Sequence, residues 1–153
     1  MSIDQLTLPA QRIFAVMHRG AYTQISTAFT SLHAAIMQTS MAPKVQGLVA
    51  LYFDDPQRTP VAELRSAAGV VVAEDLACVA PLSEIRLDAG SYARRVHQGS
   101  YDGLGASWAT FLADLAQANI PRAAGPALEH YLNSPMETPT HALQTALLVP
   151  LHT

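Results

Sequence analysis

One carboxylate stands out in this sequence by its surroundings. Glu129 is the single acidic residue in Pro126-Ala-Leu-Glu-His-Tyr-Leu132, a stretch that contains no Lys or Arg and ends at Asn133-Ser-Pro135. The stretch reads as a strand, and side chains alternate along a strand. Ala127, Glu129 and Tyr131 therefore share one face, while Leu128, His130 and Leu132 take the other. A carboxylate withdrawn from water costs several kcal/mol unless something compensates it, so it takes a partner or changes its protonation. Two chemistries follow. In a pocket the partner can be a cationic ligand, or the carboxylate can act as a general base on water, a task that needs one well-placed acid group. The alternative is a solvated Glu129 on an edge strand.

The residues that could flank this carboxylate are aromatic. Tyr131 shares its face, Trp108 lies on the apolar side of a helical segment, and Tyr52 occupies a second strand of similar character, Gly47-Leu-Val-Ala-Leu-Tyr-Phe53. An aromatic face attracts a cation by about 0.5–2 kcal/mol, so Glu129, Tyr131, Tyr52 and Trp108 are the candidate ligand-binding residues. The histidines show no metal-ligand spacing, and His130 points away from Glu129 on the strand pattern, so neither a metal site nor a Glu-His dyad is expected. His18, His97, Tyr22 and Tyr101 border the turns Arg19-Gly20 and Gln98-Gly99 and read as structural. The sequence holds no Gly-rich phosphate loop, nucleophile elbow or Cys-x-x-Cys pair, and no cofactor is expected.

What positions these residues is a duplication. A shift of 79 positions carries His18 onto His97, Gly20 onto Gly99, Tyr22 onto Tyr101, Tyr52 onto Tyr131, Pro56 onto Pro135 and Pro60 onto Pro139. The same shift places Ile25, Phe29, Leu32 and Ile36 on Leu104, Trp108, Phe111 and Leu115, a spacing that belongs to one face of a helix. Internal repetition of this kind outranks any single motif. The position of Glu129 is Ala50 in the first copy, so the charge occurs once.

Each copy reads as strand, helix, strand, strand. In the first, strands are expected over Gln11–His18, Leu48–Phe53 and Arg65–Ala73, with a helix after Gly20 that ends before Pro43. In the second, the strands are Gly90–His97, Ala127–Leu132 and His141–Val149, and the helix is Asp102–Gln117 with Asp102 as N-cap. Leu76–Ala80 is a further short strand between copies. The expected fold is α+β: an antiparallel sheet with two helices on one face and a groove on a pseudo-twofold axis. The copies span about 10–71 and 89–150 of one domain, 1–153. Superposing the two ranges should overlay the helices without a gap.

Composition bounds the remaining possibilities. With 153 residues, half of them hydrophobic, the chain can bury a substantial core. A formal net charge of -3 and no basic run beyond Arg94-Arg95 argue against direct nucleic-acid binding. No apolar stretch approaches the roughly 18 residues of a membrane helix, no signal peptide is evident, and the lone Cys78 reads as a core residue. A cytoplasmic protein fits these features.

Two segments, Arg95-Val-His-Gln-Gly-Ser-Tyr101 followed by Trp108, and Pro126-Ala-Leu-Glu-His-Tyr-Leu-Asn133 before Pro135, resemble the GyrI-like domain. That domain forms the effector-binding half of some AraC-type and MerR-type regulators and stands alone in DNA gyrase inhibitory proteins. The resemblance covers nearly the whole chain. It implies a tandem strand-helix-strand-strand fold, a groove for apolar and often cationic small molecules, and a groove glutamate matched here by Glu129. It further implies three alternative functions: sensing or sequestration of a small molecule, as in drug or toxin protection; inhibition of DNA gyrase by protein contact; or hydrolysis of cyclopropane-bearing toxins, with Glu129 as base and Tyr131 assisting. Ligand identity and oligomeric state stay open.

Overall fold

The computed structural model describes residues 3–39, 41–73 and 76–152. It contains two compact units, one of residues 9–89 and one of residues 1–8 and 90–153. Among the described residues each unit is a four-stranded antiparallel sheet with one α-helix. The first-copy unit has β2 (Gln11–Arg19), α1 (Ser26–Met37), β3 (Val45–Tyr52), β4 (Arg65–Val72) and β5 (Ser83–Leu87), in sheet order β3-β4-β2-β5. The second-copy unit has β1 (Asp4–Leu8), β6 (Gly90–Gln98), α2 (Leu104–Gln117), β7 (Ala127–Tyr131) and β8 (Gln144–Pro150), in order β7-β8-β6-β1. No helix among the described residues is long and apolar enough to cross a membrane.

The shift of 79 holds at the level of hydrogen-bonded register. His18 faces Ser66 across β2 and β4, and His97 faces Thr145 across β6 and β8. Gly20 N–H donates to the Leu64 carbonyl and Gly99 N–H to the Leu143 carbonyl, both at 2.8 Å. Those two glycines have φ of 118° and 116°, a region that residues with a Cβ rarely adopt. Asp54 and Asn133, also 79 apart, each accept a backbone N–H from the start of the following strand, Arg65 at 2.8 Å and Gln144 at 2.9 Å.

Each core lies between helix and sheet. In the first-copy unit the sheet supplies Phe14 and the small Ala68 beneath Leu32; in the second it supplies Ala93 and Leu147 beneath Phe111. Bulk has moved between sheet and helix while the layer stays filled, as a close-packed interior requires. The face expected from Leu104, Trp108, Phe111 and Leu115 packs against this second core.

Three expectations are corrected. Leu76–Ala80 is not a strand; Ser83–Leu87 is, and it pairs with β2. Its counterpart 79 positions earlier is β1, which pairs with β6. Each copy thus begins with an extra strand that sits on the sheet of the other copy. Secondly, Asp102 does not cap α2. It lies in a 3-10 turn, Tyr101–Gly103, where the Ser100 hydroxyl accepts its backbone N–H at 3.1 Å. Thirdly, His141 lies in the turn Thr140–Ala142 before β8. Pro139 is extended, the turn follows it, and the strand starts only at Gln144.

Gly20→Ala and Gly99→Ala should each destabilise the fold by about 1–3 kcal/mol, read as a lower urea midpoint with an unchanged slope.

Candidate functional site

Strand β7 runs antiparallel to β8, and Glu129 stands opposite Leu147, Tyr131 opposite Thr145. Directly opposed residues project to the same face, and Leu147 belongs to the core under α2. Glu129 therefore projects toward the helix and is only 4% exposed. The edge-strand alternative, with a solvated carboxylate, is excluded by that burial.

The helix meets the carboxylate with an indole. Trp108 Nε1–H donates to Glu129 Oε2 at 2.7 Å, and Tyr131 O–H donates to Oε1 at 2.6 Å. Both distances fall in the short range of hydrogen bonds to charged acceptors. One neutral donor is thus aligned on each oxygen, from two different elements. Trp108 also packs against Phe111, with ring centroids 6.0 Å apart. The ring is held between the core and the acid, which meets the double demand of a large apolar body with a polar N–H. Arg95, which shares the Leu147 register with Glu129, gives its guanidinium to Asp114 at 2.9 Å.

Tyr101 joins this group, although its place beside a turn suggested a structural residue. Its ring meets Tyr131 edge-on, with centroids 5.5 Å apart and planes at 63°. Burial, followed by the nearby charge of Glu129, raises its phenol pKa above 10.0. The signal was present in the repeat. Tyr22 and Tyr52, the residues 79 positions earlier, also pair ring to ring at 4.8 Å, so both copies bring the turn tyrosine onto the strand tyrosine. Tyr52 belongs to the first-copy unit and is half-buried on β3, while Ala50 is fully buried opposite Ala68. Tyr22 O–H donates to the Asp54 carbonyl at 2.7 Å and accepts the Asp54 N–H at 3.0 Å.

The histidines serve the turns. His97 Nε2 lies 2.9 Å from the Ser100 carbonyl, which can only accept, so that nitrogen carries the proton. Nδ1 lies 2.5 Å from the Ser107 hydroxyl. His18 repeats the first contact, with Nε2 3.2 Å from the Ala21 carbonyl, but Ser107 is Ala28 in the first copy. Gly103 is explained by the same clamp: a Cβ there would come within 3.0 Å of the His97 ring. His130 faces away from Glu129, opposite Ala146, and burial lowers its pKa. Among the described residues no cluster of His, Cys, Asp and Glu could hold a metal ion.

Comparison with known proteins gives two kinds of result. The family model described as the GyrI-like small molecule binding domain matches residues 1–152. A search of functionally curated proteins gave no match. Among solved structures, EcmrR in complex with DNA is similar with a TM-score of 0.79 at 11% identity, over 99% of this chain and 57% of that one. This chain therefore spans little more than half of that EcmrR chain. SAV2435 bound to tetraphenylphosphonium is similar with a TM-score of 0.75 at 13% identity, covering 99% of this chain and 94% of that one. A structure described as a hydrolase from Listeria innocua follows with a TM-score of 0.68 at 12% identity, over 98% and 91% of the two chains. At these identities the structural likeness establishes a shared fold.

The Tyr101–Glu129 coupling can be measured by NMR titration of ring-labelled tyrosine. In Glu129→Gln the Tyr101 pKa should fall toward 10, with the part of its elevation caused by burial remaining. A Tyr101 midpoint that does not move would remove Glu129 as a cause.

Proposed function

We propose, from the premise that this chain belongs to the GyrI-like small-molecule-binding domain family, that it binds lipophilic organic cations and thereby senses or sequesters them. The observation that carries this reading is the buried Glu129 carboxylate, whose two oxygens are oriented by the neutral donors Trp108 and Tyr131. Two neutral donors fix the position of the acid. A delocalised cation could dock against that carboxylate with its flat groups against the rings of Trp108, Tyr131 and Tyr101. Charge and aromatic surface act together, since a cation over each ring gains about 0.5–2 kcal/mol. That SAV2435, which shares the fold, was solved bound to tetraphenylphosphonium supports this ligand class.

The Glu129–Tyr131 pair also supports a second reading, hydrolysis. Glu129 would take a proton from water while the oxygen attacks a cyclopropane carbon. The electron pair of the broken ring bond would pass into a conjugated carbonyl that Tyr131 protonates. The 2.6 Å contact between the two side chains lets the proton taken up by Glu129 return to the Tyr131 oxygen once the ring has opened, and the fold shared with the Listeria innocua hydrolase supports the same reading.

Titration with tetraphenylphosphonium, and with neutral triphenylphosphine oxide, tests the binding reading. At a hundredfold excess over Kd the cation should stabilise the fold by about 2.7 kcal/mol. Glu129→Gln should weaken cation binding roughly tenfold or more, about 1.4 kcal/mol, and leave the neutral compound nearly unaffected. Tyr131→Ala should weaken both ligands. Equal cation affinity in wild type and Glu129→Gln would move the site elsewhere. Incubation with a cyclopropane-bearing alkylating agent separates the second reading: repeated turnover that Glu129→Gln abolishes would establish hydrolysis, and no water-adduct product would exclude it.

A further inference from the structure

The structure carries a second buried charge that the fold does not require. Arg95 on β6 is 3% exposed and projects under α2. Its Cζ lies 5.4 Å from the Phe111 ring centroid, and Nη2 pairs with Asp114 at 2.9 Å. Nε and Nη1 have no hydrogen-bond acceptor among the described residues. A buried donor left unsatisfied costs about 1–3 kcal/mol, and more when charged. In the first copy, 79 positions earlier, the equivalents of Arg95 and Asp114 are Val16 and Ala35. The same layer of the same fold is therefore built elsewhere in this chain with apolar side chains. Replacing buried ion pairs by apolar residues is often neutral or stabilising, so stability alone gives no reason for the pair.

Beside Arg95 lies an open surface depression of about 360 Å³, lined also by Asp114, Gln117, Ala118, Ile3 and Ile120. That volume is at the lower end of small-molecule sites. Its wall is divided, with Arg95, Asp114 and Gln117 polar and Ile3, Ala118 and Ile120 apolar. None of the residues around Glu129 lines it.

We propose that this depression binds a small carboxylate with a short alkyl tail. The carboxylate accepts end-on from Nη1 and Nη2 of Arg95, the two-bond geometry that guanidinium groups favour, and the tail lies along Ile3, Ala118 and Ile120. Asp114 must swing aside for this. Its side chain is 42% exposed, so it can turn out to water while the incoming carboxylate takes over as partner of the buried guanidinium, and the acid acts as a displaceable placeholder. A monoanion suits the site better than a phosphate dianion, because Asp114 remains close by and repels the second charge.

The test uses the full chain with hexanoate as probe and hexanol as its neutral control, followed by the ¹H–¹⁵N signal of the Arg95 side chain and by methyl signals of Ile3 and Ile120. Hexanoate should shift these signals saturably in the wild type, and hexanol should not. Asp114→Ala, which removes the competing acid, should tighten hexanoate binding roughly fivefold or more. Arg95→Met should abolish it. Equal responses to hexanoate and hexanol, or an Asp114→Ala variant that binds hexanoate no better than wild type, would overturn the proposal. If Arg95→Met does not fold, the Asp114→Ala result decides alone.

Discussion

A carboxylate buried in a sheet must be met by donors, and most of what is specific to the second-copy unit follows from that requirement. Glu129 receives one hydrogen bond from its own strand, through Tyr131, and one from the helix above, through Trp108. The indole can reach only if α2 lies at a fixed height and rotation over β7. Phe111, fully buried beneath the helix and 6.0 Å from the indole, sets that position. The same fixing places Tyr131 against Tyr101, whose ring comes from the turn that His97 and Ser107 hold to the start of α2. A charge on one strand thus constrains a helix, a turn and four aromatic rings.

The duplication shows which of these features the fold needs. Turn glycines, strand registers, the capping Asp54 and Asn133, and the ring pairs of tyrosines occur in both copies. They are the common architecture. Glu129 replaces Ala50, Trp108 replaces Phe29, Ser107 replaces Ala28, and Arg95 with Asp114 replaces Val16 with Ala35. In each case the second copy exchanges an apolar residue for a polar or hydrogen-bonding one. At these positions the first copy keeps apolar side chains, and the second departs from them. Such local departures from good packing are where functional sites are expected.

The repeat made much of this legible in the sequence. Its constant interval gave the helix faces, the main strands and the uniqueness of Glu129, because equivalent residues carry the same burial pattern. The exchanged strands β1 and β5 were harder to see. Each has five residues, mostly exposed or half-buried, so the alternation of Leu6 with Leu8, and of Ile85 with Leu87, is a weak signal, and their partners lie in the other copy. Ser100 and Asp102 are equally good capping residues by type, and only the 3-10 turn Tyr101–Gly103 decides for Ser100. Tyr101 was assigned to its turn alone. Its contact with Tyr131, some thirty residues later, depends on how turn and strand pack, which local pattern does not encode.

We propose Glu129, Trp108 and Tyr131 as the seat of an organic cation. Trp108 is the single tryptophan of the chain, so its indole N–H gives one resolved signal in a ¹H–¹⁵N spectrum, on the atom that donates to Glu129. Titration with tetraphenylphosphonium should move that signal saturably, with the midpoint found by calorimetry. Binding measured by calorimetry while the indole signal stays in place would contradict the account.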